Sequence, residues 1–142
     1  MASFKQRTGY LLSRVRAALR AKIDASLSDK GLTAPQYTAL TTLEEEPGLS
    51  NADMARLCLV TPQTMVRIIE NLERAGLVGR TPHPTHGRVR QIELTARGRK
   101  TVADCHHRVL ALEDRLVAAL TRGERKQLHE LLEKCASSLA ED

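Results

Sequence analysis

Aromatic side chains are nearly missing from this chain: one Phe, two Tyr and no Trp among 142 residues. Its core must therefore be aliphatic, which suits packed helices better than a sheet sandwich. Cysteine is equally sparse. Cys58, Cys105 and Cys135 are odd in number, far apart and without a CxxC pair. That excludes a disulfide framework and leads us to expect a reducing, cytoplasmic setting. No run approaches the ~18 consecutive apolar residues of a membrane span, so no membrane contact is expected. Met1 to Gln6 pass straight into an amphipathic pattern, without the apolar segment of a signal peptide. There is no Gly-rich phosphate loop, no nucleophile elbow and no HExxH, and the carboxylates are scattered over helix surfaces. Neither an enzyme nor a cofactor is expected. Nor is a metal: His83 and His86 fall in a Gly/Pro turn, and Cys105, His106 and His107, as consecutive helical residues, diverge. Zinc needs four converging ligands.

Positive charge is plentiful and unevenly placed. Of 22 Lys and Arg against 17 Asp and Glu, residues 48–100 hold nine basic and four acidic groups. The first 47 residues carry a net +2 and the last 42 a net −2. Eight of the nine central cations are arginines. Such a patch is either a solvated basic surface or the footprint of a polyanionic partner.

The helices can be read from their stripes and punctuation. Leu12, Val15, Leu19, Ile23 and Leu27 make one stripe over residues 4–28, ended by Gly31. Thr33 with Gln36 reads as a capping box, opening a helix striped by Tyr37, Leu40 and Leu43 and stopped at Pro47-Gly48. Ser50 with Asp53 opens a short helix to about Cys58, expected to bury Ala52, Ala55 and Leu57 or Cys58. Thr61-Pro62 starts the next, to about Ala75, with Gly76 as its stop. Residues 77–81 and 89–94 then alternate as strands around a Gly/Pro turn, forming a hairpin with Arg80, Arg88 and Arg90 at a basic tip. Thr95 caps a long helix expected to reach about Leu120, where residues 121–124 break the pattern. Its first turn is cationic (Arg97, Arg99, Lys100), which opposes the helix dipole and suggests another use, such as contact with phosphate. A last helix carries Leu128, Leu131, Leu132, Cys135 and Leu139.

Residues 50–94 hold the chemistry. The helix after Thr61 places Met65, Ile68, Ile69 and Leu72 on one face and Gln63, Thr64, Arg67, Asn71 and Arg74 on the other. Arginine suits guanine, Gln or Asn adenine, and the Thr methyl the thymine methyl. Ser50, Thr61 and Thr64 stand at helix starts that suit phosphate oxygens. A polar helix face alone is ordinary. Joined to a three-residue turn, a Thr-Pro start and a basic hairpin, it reads as a helix-turn-helix for double-stranded DNA.

The order Pro47-Gly48-Leu49-Ser50, Asn51-Ala52-Asp53-Met54-Ala55, Thr61-Pro62-Gln63-Thr64-Met65-Val66-Arg67, Leu72-Glu73-Arg74-Ala75-Gly76-Leu77-Val78 and Leu94-Thr95-Ala96-Arg97-Gly98-Arg99 resembles the multiple antibiotic resistance regulator (MarR) family over nearly the whole chain. The resemblance implies a mostly α fold: a winged helix-turn-helix with a two-stranded β-wing, flanked by dimerisation helices. It implies one domain over 1–142, its DNA-binding part at 33–94, its dimerisation helices at 4–28 and 100–140. It implies a homodimeric repressor, with helix 62–75 in the major groove and the hairpin at the minor groove, released by a small aromatic or phenolic ligand. Where the family's wing often reads Asp-Arg-Arg, this chain has His86-Gly87-Arg88. The minor-groove contact then falls to Arg88 or is shared with Arg90.

A dimer is also expected from the stripes, because the small central unit cannot cover both the first and the last helix. By resemblance, a ligand pocket would lie between the dimer helices and the reading unit, with Tyr10, Arg14, Arg16 and Tyr37 as candidate lining. Cys58 and Cys135, on apolar stripes, read as inert. Cys105, between Asp104 and two histidines, is the candidate redox thiol of an alternative, redox-sensing regulator. A second alternative is a helical adaptor whose basic middle meets an acidic protein.

Overall fold

The computed structural model describes residues 1–140 apart from His86, Arg88 and Val89. It has six helices: α1 (Thr8–Leu27), α2 (Ala34–Glu45), α3 (Asn51–Leu57), α4 (Pro62–Arg74), α5 (Ala96–Leu116) and α6 (Arg122–Ala140). One antiparallel hairpin joins β1 (Val78–Pro82) to β2 (Arg90–Leu94), with Val78 opposite Leu94 and Pro82 opposite Arg90. Leu49 adds a bridge to Ile92, whose amide donates to the Leu49 carbonyl at 2.8 Å. No described helix is long and apolar enough to cross a membrane.

Capping fixes the helix starts. Thr33 with Gln36, and Ser50 with Asp53, form reciprocal capping boxes, and Thr61 and Thr95 accept from the amides of Thr64 and Gly98. Each such cap contributes about 1 kcal/mol. Gly31 and Gly76 close their helices with φ of 69° and 75°, a region that favours glycine. The core is aliphatic: Leu27, Leu40, Leu43, Met54, Met65, Ile69, Leu72, Ile92 and Val102 are its largest fully buried apolar side chains besides Cys105.

Three boundaries and one buried face differ from the sequence reading. Residues 4–6 form a separate 3-10 turn capped by Ser3, so α1 begins at Thr8. In α3, Met54 and Ala55 are buried while Ala52 and Leu57 are exposed, because a two-turn helix offers too few positions to fix its phase. Strand β1 spans 78–82, one residue later than expected, and β2 spans 90–94, with the expected start at Val89 outside the described residues. The long helix stops at Leu116, since residues 121–124 are a start signal for α6. There the Thr121 amide donates to Glu124 at 2.9 Å and the Glu124 amide donates to Thr121 Oγ1 at 3.1 Å.

The junction at the start of α5 is the tightest in the chain. Gly76 ends the reading unit's last helix, and the Thr95 hydroxyl donates to its carbonyl at 2.7 Å. The Thr95 amide donates to the Leu77 carbonyl at 3.0 Å. Gly98, in the first turn of α5, lies so close that a β-carbon there would overlap that same Leu77 oxygen. Backbone cannot move aside as a side-chain tip can. Gly98→Ala is therefore expected to destabilise the fold by about 3 kcal/mol, the upper end for overpacking. Chemical denaturation at fixed protein concentration checks this, and a cost near zero would contradict the packing described.

Candidate nucleic-acid interface

Helix α4 has the two faces of a groove reader. Met65, Ile68, Ile69 and Leu72 are buried, while Gln63, Thr64, Arg67, Asn71 and Arg74 are all exposed. Asn71 and Arg74 are coupled, with Arg74 Nη2 donating to Asn71 Oδ1 at 2.8 Å. The Thr61 hydroxyl donates to Thr64 Oγ1 at 3.0 Å, which leaves the Thr64 proton for an outside acceptor. Thr61 itself is committed as the cap.

Ser50 and Arg80 have other work. The Ser50 hydroxyl accepts from the Asp53 amide and donates to Asp53 Oδ2 at 2.9 Å, so no proton is left for phosphate. These bonds hold the Asp53 carboxyl below the usual carboxylate range. Arg80 is not at the hairpin tip. Its Nε donates to Glu73 Oε1 at 2.7 Å, tying β1 to α4 and offsetting its charge. Arg90 is exposed at the far end of β2. Arg88 and His86 lie outside the described residues.

Leu59 was not anticipated. It sits in the α3–α4 turn, 82% exposed, with a φ of 59°. A left-handed leucine costs about 1 kcal/mol or more. The sequence signal was available: the residue before Val60-Thr61-Pro62 in a helix-turn-helix turn must reverse the chain, and this one is neither Gly nor Asn.

A cavity of about 160 Å³ lies behind α4, lined by Arg16, Leu19 and Arg20 of α1, the first turn of α2 with Thr38, and Cys58, Val60 and Ile68. Of the four residues expected around a pocket, Arg16 alone lines it. Tyr10 packs edge-on against Phe4, with ring centroids 5.2 Å apart, and Arg14 is exposed on α1. Tyr37 is a core residue whose hydroxyl is 2.7 Å from His106 Nδ1, with His106 Nε2 2.8 Å from Glu44; burial pushes its phenol up. Arg20 and Thr38 are gained. Neither Arg16 nor Arg20 has a carboxylate within 4.0 Å among the described residues.

The redox candidate lies in the core of the single chain. Cys105 is fully buried, and burial pushes its thiol up, away from the reactive thiolate. Cys58 is half-buried, its thiol also raised by burial. Cys135, expected to be packed away, is exposed on α6 in the single chain.

Comparison with known proteins agrees with this geometry. A family model described as "MarR family" matches residues 30–89. The HTH-type transcriptional repressor Rv2887 of Mycobacterium tuberculosis (strain H37Rv) is 42% identical over 129 residues, spanning 91% of this chain and 93% of its own length. The crystal structure of the Mycobacterium tuberculosis Rv2887 protein with salicylic acid matches with a TM-score of 0.74 at 40% identity, covering 94% of this chain and 99% of that one. Its structure with DNA matches with a TM-score of 0.71 at 40% identity, covering 91% and 97%. With this identity over nearly the whole of both chains, the protein belongs to the MarR family of transcriptional regulators.

Proposed function

We propose that this chain is a sequence-specific DNA-binding repressor that acts as a homodimer and is released by a small aromatic acid. The observation that carries the reading is α4, with one face fully anchored and a cluster of base-reading side chains on the other. Gln63, Arg67, Asn71 and Arg74 address base edges from the major groove, Thr64 a phosphate or a thymine methyl, and Arg88 and Arg90 the minor groove. Ser50 and Thr61 hold the helix starts.

Uncovered apolar surface supports the dimer. Leu11, Leu12 and Val15 of α1, Leu110 and Leu116 of α5, and Leu128, Leu131, Leu132 and Leu139 of α6 are exposed. Helix α6 buries no residue within the chain. Most helical stability in proteins comes from packing an apolar face, so a second copy is the natural cover.

The cavity behind α4 supports the ligand class. Two guanidiniums without carboxylate partners beside Leu19, Val60 and Ile68 suit a carboxylate on a flat apolar body. The relative crystallised with salicylic acid and with p-aminosalicylic acid makes salicylate the first probe.

Purified protein tested against its own upstream DNA, with excess nonspecific competitor at two salt concentrations, should retain one fragment and lose it steeply with salt. The log–log slope is near −0.9 per neutralised phosphate on B-DNA. Retention of no fragment, in this test or in a genomic-fragment selection, contradicts the reading. Arg67→Ala should relax preference at one base pair by roughly 1–3 kcal/mol, whereas Arg88→Ala should weaken all sequences evenly. Salicylate should release the fragment. Arg20→Gln should bind DNA normally and need at least about tenfold more salicylate, the loss of one charged hydrogen bond. An unchanged salicylate response in that variant would remove Arg20 from the ligand site.

A further inference from the structure

Toward the C-terminal end of α4 lies another, smaller cavity of about 140 Å³. It is built from four separate stretches: Lys30 after α1, Gln36 in the first turn of α2, Asn71 near the end of α4, and Arg97 and Thr101 of α5. A cavity of that size has room for one phosphate group with a little solvent.

Its chemistry is one-sided. Gln36 Oε1 already accepts from the Thr33 amide at 3.0 Å, and Asn71 Oδ1 from Arg74 at 2.8 Å. One accepted bond orients each amide, and its NH₂ group is left to give. Thr101 adds a hydroxyl. Lys30 has one carboxylate nearby, Asp104 at 3.8 Å, and Arg97 has none within 4.0 Å among the described residues. The Arg97 guanidinium rests against Gly76, 3.8 Å from where a β-carbon would stand. The cavity thus gathers two cations and two amide donors, and among the described residues no carboxylate lines it. Arg97 is also one of the cations whose place in the first turn of α5 the helix dipole disfavours.

We propose that this cavity is a receptor for a phosphate-type oxyanion, bridging the end of the reading helix to the start of α5. The oxyanion comes either from a phosphodiester of bound DNA or from a free phosphate-bearing molecule. Bound there, it neutralises Arg97 and joins α2, α4 and α5 through a single group, so it stiffens the base on which the reading helix stands.

The test uses the full-length protein, nitrogen-15 labelled, titrated with inorganic phosphate against sodium chloride of matched ionic strength. The side-chain amide resonances of Gln36 and Asn71 should shift together and saturate. Arg97→Gln, and independently Lys30→Gln should one variant fold poorly, should weaken the effect at least tenfold. The titration is repeated on the DNA complex. Loss of the Gln36 response there assigns the site to the DNA backbone, and its persistence assigns it to a free molecule. A protein with no phosphate response but with a salt slope for DNA reduced by about one in Arg97→Gln also supports the backbone source. No saturable shift, together with an unchanged DNA affinity and slope in Arg97→Gln, overturns the proposal and leaves Arg97 as a partner of the α4 C-terminal dipole. The DNA arm rests on the repressor reading and the phosphate arm does not. Wild-type DNA binding, measured alongside, separates failure of one from failure of the other.

Discussion

The contact between the Leu77 carbonyl and the bare α-carbon of Gly98 governs the geometry of everything around it. Within three residues, Gly76 ends the reading helix, Leu77 receives the Thr95 amide and Val78 begins the wing. A side chain at Gly98 would force α5 away from the reading unit. Because the glycine lets backbone meet backbone, the direction of α5 and the direction of α4 are set against each other rather than through a flexible linker. Arg80 reinforces the same corner by tying β1 to Glu73.

That rigidity gives the exposed apolar faces a consequence. Helices α1, α5 and α6 present leucines that stay exposed in the single chain, and in the proposed dimer their burial against a second copy fixes the separation of two α4 helices. The ligand cavity touches α1 on one wall and Ile68 of α4 on the other. An aromatic acid between them has different contacts in each relative position of the two helices, which is the requirement for shifting a DNA-binding equilibrium. In the proposed reading, Arg16 and Arg20, one turn apart on α1, provide the charge for such a ligand's carboxylate.

Most of this architecture could be read from punctuation. Thr33, Ser50, Thr61 and Thr95 announced four helix starts, and Gly31 and Gly76 two helix ends, because capping chemistry acts over three or four residues and is written locally. The anchored face of α4 was legible for the same reason, its period being sustained over 13 residues. What escaped depends on distant partners. Arg80 looked available for DNA until Glu73 of α4 was found beside it, whereas the Ser50–Asp53 box that occupies Ser50 was legible locally. Cys105 looked reactive from its charged neighbours in sequence, yet those side chains point elsewhere on the helix and the thiol faces the core. Tyr37 looked like a ring for a ligand and is instead held by His106 from a helix 69 residues away. Pocket linings, like ion pairs, are assembled by the fold, so Arg20 and Thr38 could not be picked from their own stretches.

The central claim is that two copies of α4, held at a fixed separation, read DNA together. Hydroxyl-radical footprinting on the retained fragment tests it directly. The account predicts two protected patches related by two-fold symmetry, their centres about one helical turn, ~34–36 Å, apart. A single asymmetric patch, unchanged across the protein concentrations over which a dimer forms, would contradict it.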